Sequence, residues 1–129
     1  MVSKNPIAPH RVRRVPAQFS WLDHRLVRER YIDRCTHAAA ALYLFLVTVA
    51  DAAGMSYYGD ASIGRRLSMD MATLEAARDN LVRIGLIAWQ KPLYQVLSFE
   101  VRSQAPRQVM AQPASLADIL KKAAPGGAL

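Results

Sequence analysis

Cysteine occurs once in 129 residues, at Cys35. One thiol cannot close an internal disulfide, so no covalent cross-link substitutes for a core. Cys35 reads as a small buried hydrophobe in a reducing compartment. A nucleophilic role would need a base on the same face, and His37 at i+2 is not on it if both lie on one helix. Long apolar runs are also missing. The longest uncharged stretch, AAAALYLFLVTVA from Ala38 to Ala50, has 13 residues, short of the ~20 that span a bilayer. It reads as a core helix. The basic N-terminus has no apolar segment after it, since Pro16, Gln18 and Ser20 follow Arg11, Arg13 and Arg14, which excludes a secretion signal. A soluble, cytoplasmic chain is expected.

The ingredients of catalysis are scarce as well. His10, His24 and His37 do not stand at metal-ligand spacing with thiol or carboxylate partners. Gly59 and Gly64 are isolated, so there is no glycine-rich phosphate loop. Asp and Glu number 10 against 17 Lys and Arg, and no nucleophile, base and orienting group can be assembled. No enzyme, metal site, cofactor or small-molecule substrate is expected.

What is present is enough apolar residue for a core, 52% of the chain, and a net charge of +7. The charge is unevenly placed. Residues 1–34 carry eight Lys/Arg against three Asp/Glu, and residues 101–129 carry four against one. Residues 35–100 carry five against six. The excess therefore sits on the flanks. A basic flank either grips phosphates through counterion release or is a solvated tail that aids solubility.

Proline and periodicity divide the chain. Residues 1–20, with Pro6, Pro9 and Pro16, read as a flexible basic arm. Residues 21–101 read as folded, and residues 102–113, with Pro106 and Pro113, as a linker. Residues 114–129 form a tail with a short amphipathic helix from Ser115 to Ala124. Ser115 and Asp118 stand at capping-box spacing, and Leu116, Ile119, Leu120 and Ala123 make one stripe.

Inside residues 21–101, Thr36 and Gly54 bracket a helix over His37 to Ala53. Leu42, Phe45, Leu46 and Val49 form one face. Tyr43, Leu44 and Val47 make the opposite side apolar too, so it must be covered. Either the segment Trp21 to Ile32 covers it or a homodimer partner does. Ser56 to Tyr58 is β-prone. Asp60 is expected to cap a helix over Ala61 to Leu67, and Asp70, after a turn at Ser68-Met69, a helix over Met71 to Ile84. Leu74, Ala77, Leu81 and Ile84 give its inward stripe, and Gly85 ends it. Strands follow over Leu86 to Gln90 and Leu93 to Val101, joined by Lys91-Pro92, with Gln95, Leu97, Phe99 and Val101 sharing one face. Trp89 and Tyr94 read as core or interface residues. The fold class is mainly α with a small β-hairpin.

The segments ALYLFLVTVADAAG, DASIGRRLSMDMATLEAARDNLVRIGLI and LYQVLSF, within residues 36–101, resemble the winged helix-turn-helix superfamily. They are most similar to bacterial replication-initiation and replisome-organiser domains of the DnaD-like type, to small MarR- or GntR-type regulators, and to small proteins of mobile elements. The resemblance implies a three-helix core with a two- or three-stranded wing. It also implies binding of double-stranded DNA, with the third helix in the major groove. Met71, Ala72, Thr73, Glu75, Ala76 and Asp79, with Arg78, would then face the bases. Arg65, Arg66 and Lys91 would hold the backbone, and Arg11, Arg13 and Arg14 would add affinity. The role would be transcriptional regulation or replication or transfer of a mobile element. This helix is poor in the Arg, Asn and Gln that make bidentate base contacts. An adaptor role in a protein assembly is therefore the second expectation, with Tyr43, Leu44 and Val47, or Leu116, Ile119 and Leu120, as the partner surface.

Overall fold

The computed structural model describes residues 4–100. The linker over residues 102–113 and the tail helix with Leu116, Ile119 and Leu120 lie outside the described residues. Residues up to Leu97 belong to one compact unit. Ser98 to Glu100 belong to a second, where the Ser98 hydroxyl donates to the Glu100 carbonyl at 3.0 Å.

The first unit holds four helices, α1 (Arg25–Arg28), α2 (His37–Val49), α3 (Asp60–Leu67) and α4 (Met71–Arg83). Three strands, β1 (Met55–Tyr57), β2 (Ile87–Gln90) and β3 (Leu93–Val96), form an antiparallel sheet in the order β1-β3-β2. Short 3-10 turns occupy Pro9–Arg11 and Ile32–Arg34. The class is therefore α+β, with β2 and β3 as the hairpin.

Helix α2 begins where Thr36 caps it, its Oγ1 accepting the Ala39 N–H at 3.0 Å. It stops at Val49, about a turn short of the expected end at Ala53. The reason is Asp51, whose Oδ1 accepts the N–H groups of Ala53 and Met55, each at 2.9 Å. A side chain that satisfies its own backbone in this way competes with the helix. Gly54 then takes φ +87°, and a Cβ there would stand 2.7 Å from the Val96 carbonyl oxygen. The Gly54 carbonyl accepts the Val96 N–H at 2.8 Å, so the turn is tied to β3.

Helix α3 also differs from expectation. Its N-cap is Gly59, and Asp60 is its first residue rather than its cap. Ser68 takes the left-handed conformation, φ 57°, and reverses the chain. Asp70 caps α4, its Oδ1 accepting the Thr73 N–H at 2.8 Å. At the other end the Gly85 N–H reaches Val82 O and the Leu86 N–H reaches Leu81 O. With Gly85 at φ +84°, this is a Schellman closure.

The core gathers Leu42 and Leu46 of α2, Ile63 of α3, Leu74, Ala77 and Leu81 of α4, and Leu86, Ile87 and Tyr94 at the sheet, all essentially without solvent contact. Strand β3 is shorter than Leu93 to Val101, ending at Val96. Tyr94 points inward while Gln95 is exposed. Register explains this, because Tyr94 lies opposite Ser56 of β1 and Trp89 of β2, and alternation then turns Gln95 to the other side.

The outer side of α2 is covered in part by the chain itself. The Ser20 hydroxyl donates to the Thr48 carbonyl at 3.3 Å, and Leu26 of α1 is buried. Tyr43 is 6% exposed, and burial, with Asp23 and Cys35 close enough to add their field, pushes its hydroxyl pKa up. Tyr43 is therefore a core residue and not part of a free partner surface, which corrects the expectation. Leu44 is exposed and Val47 half-buried. Cys35 is half-buried rather than buried.

Candidate functional site

The α3–turn–α4 unit carries most of the candidate residues. Arg65 and Arg66 are exposed in the last turn of α3. Met71, Ala72, Thr73, Glu75, Ala76 and Asp79 are all exposed and make one outward face of α4. Between the two helices lies an open, mostly apolar hollow of about 310 Å³. Asp60, Arg65 and Met71 line it, with Ala61, Gly64, Met69 and Leu74. Lys91 is exposed at the hairpin tip. Arg11, Arg13 and Arg14 are exposed along the N-terminal segment, Arg11 closing the turn Pro9–Arg11.

Arg78 is not on this face. It is 4% exposed. Its Nη1 donates to Asp60 Oδ1 and to Tyr94 Oη, each at 2.9 Å. Its guanidinium lies over the Trp89 ring, 3.8 Å from the centroid. The contacts join the start of α3, the middle of α4 and both strands of the hairpin. Burial works against the charge, but the hydrogen bonds from Arg78 to Tyr94 and Asp60 outweigh it and raise the pKa. Tyr94, deeply buried, is pushed up by desolvation and keeps its proton. The expectation that Arg78 faces a ligand is thus corrected. Helical spacing carried the signal, since Leu74, Ala77, Arg78 and Leu81 stand at i, i+3, i+4 and i+7.

A second polar bracket was not anticipated. Asn80 is 5% exposed. Its Oδ1 accepts the Thr36 N–H at 2.8 Å, and its Nδ2 donates to the Arg34 carbonyl at 3.1 Å. It fixes α4 to the entry of α2. Its place beside Leu81, three residues after Ala77, was the available hint.

Farther out, Arg25 makes two-pronged contact with Asp23, Nη2 to Oδ2 at 2.6 Å, and adds its own backbone N–H. These bonds, the side-chain one first, lower the Asp23 pKa to about 2. Among the described residues no three His, Cys, Asp or Glu side chains come together as a metal site. Among the same residues no helix is long and apolar enough to cross a membrane.

No protein-family model, curated protein or solved structure matches the chain.

Proposed function

We propose that this chain is a cytoplasmic, non-enzymatic DNA-binding protein of winged helix-turn-helix type, acting in transcriptional regulation or in replication or transfer of a mobile element. The observation that carries the reading is the chain order α2-β1-α3-α4-β2-β3 with sheet order β1-β3-β2. It sets two helices joined by a left-handed Ser68 turn beside a hairpin. In this reading α4 lies in the major groove. Arg65, Arg66 and Lys91 neutralise phosphates, and Arg11, Arg13 and Arg14 extend the grip along the backbone.

A duplex titration at several salt concentrations tests it. The logarithm of the affinity falls linearly with log salt, with a slope near −0.9 per phosphate neutralised. Deleting residues 1–20 lowers that slope by about two to three, from the loss of Arg11, Arg13 and Arg14. Absence of binding at low salt overturns the reading.

The adaptor reading has an observation of its own. The outward face of α4 presents Glu75 and Asp79, which phosphates repel, and its one central arginine, Arg78, is buried. Trp21, Leu22 and Leu44 are exposed and would serve a protein partner or a second copy of the chain.

A further inference from the structure

Of the three α4 side chains best suited to read bases by hydrogen bonding, Arg83 is exposed but stands in the last turn, twelve residues from Met71, and the other two are already occupied. Arginine pairs with guanine and asparagine with adenine through two-pronged contacts. Arg78 spends its Nη1 on Asp60 and Tyr94 and its face on Trp89. Asn80 spends both ends of its amide on the backbone of Thr36 and Arg34. Both are almost fully buried, so neither can turn outward without dismantling the core.

What remains on the outward face is Met71, Ala72, Thr73 and Ala76, with Glu75 and Asp79. The first four offer methyl groups or a thioether, with one hydroxyl, on Thr73. Met71, half exposed, borders the apolar hollow between α3 and α4. Met71, Ala72 and Ala76 cannot donate to guanine O6 or N7, and the one donor in the group, the Thr73 hydroxyl, is engaged by Asp70. Such a surface can bury the C5-methyl that thymine presents in the major groove. Glu75 and Asp79 accept from the cytosine amino group and accept nothing from a purine ring nitrogen.

We infer that α4 distinguishes duplexes by their major-groove pyrimidine methyls, through Met71, Ala72, Thr73 and Ala76, and not by guanine-directed hydrogen bonds. The inference rests on the DNA-binding reading above and narrows it. A methyl group moved from water into such contact is worth about a fourfold change in affinity. Backbone grip is unchanged by the methyl, so the preference is independent of salt.

The test uses the full chain and four synthetic duplexes at fixed salt: alternating A·T, the same with uracil for thymine, alternating G·C, and the same with 5-methylcytosine. Uracil for thymine weakens binding about fourfold or more, 5-methylcytosine for cytosine strengthens it by a like factor, and all four salt slopes agree. Thr73→Ser, which keeps the hydroxyl and removes only a methyl, reduces both differences, as does Met71→Ala. Equal affinity within each pair, with binding intact, overturns the methyl inference and leaves the DNA reading standing. Failure to bind any of the four at low salt overturns both.

Discussion

Replacing Arg78 by alanine is the most informative perturbation of the fold. The substitution removes the only hydrogen-bond donor shown on Tyr94 Oη, which sits at 0% exposure. Stranding a buried hydroxyl costs about 1–3 kcal/mol. The contact with Asp60 adds less, because that carboxylate retains 26% exposure and water replaces the guanidinium. Its share is about 1 kcal/mol. Loss of the stack on Trp89, itself partly exposed, removes about another 1 kcal/mol. Together Arg78→Ala destabilises by about 3–5 kcal/mol. For a unit of this size that lowers the Tm by roughly 12–40 °C. Urea unfolding followed by far-ultraviolet circular dichroism measures the change without relying on Trp89 emission. Arg65→Ala, on an exposed site, stays within about 0.5 kcal/mol. A loss below about 1 kcal/mol for Arg78→Ala would refute the buried network and return the guanidinium to the surface.

Asn80→Ala removes two hydrogen bonds of a buried amide and lowers stability by about 2 kcal/mol. Hydrogen exchange at the Thr36 amide then accelerates, while unchanged protection there would contradict the bracket. Two glycines with positive φ separate strain from crowding. Gly85→Ala meets open space and costs about 1–2 kcal/mol for the left-handed backbone alone. Gly54→Ala also drives a Cβ against Val96 O and costs more. Equal losses in denaturant melts would refute that contact. The Asp23 carboxyl is held to about pH 2 by the Arg25 side chain and N–H, and Asp70 is lowered by its bonds with Thr73. Both contributions are present above their ordinary pKa near 3.8. They disappear as pH falls through the depressed folded values. Asp23→Asn therefore reduces the loss of stability between pH 4 and 2, as read from melts across that window. A pH profile like that of the parent chain would contradict the pairing.

Much of the fold was legible because its punctuation is local. Thr36, Asp70 and Gly85 act within one turn of their own positions, and each does in the structure what its residue type suggests. The apolar stripe of α4 likewise follows from spacing alone. What sequence reading lost depends on distant partners. Asp60 looks like a cap until Arg78, eighteen residues on, claims its carboxylate. Arg78 looks like a surface charge until Tyr94 and Trp89 close over it. The early end of α2 was missed for a different reason. Asp51 offers the backbone a turn that propensity-based reading of an alanine-rich run undervalues. Strand β3 was read too long, because alternation that continues past Val96 does not show where pairing with β2 and β1 stops. The candidate site shows the same division. Its exposed residues, Arg65, Arg66, Met71 and Thr73, were expected there only from the resemblance to winged helix-turn-helix proteins. The residue removed from it, Arg78, was decided by tertiary contacts.

The central claim is that the α3–α4 face meets duplex DNA. Mapping amide chemical shifts of the labelled full chain during titration with a short duplex tests it most directly. Progressive shifts are expected at Arg65, Arg66 and residues 71–76, with further shifts at Arg11, Arg13, Arg14 and Lys91, all reversed by added salt. Shifts absent from α3 and α4 while the N-terminal segment responds would contradict it, reducing the interaction to a basic arm. A spectrum unchanged at low salt would remove DNA from the account altogether.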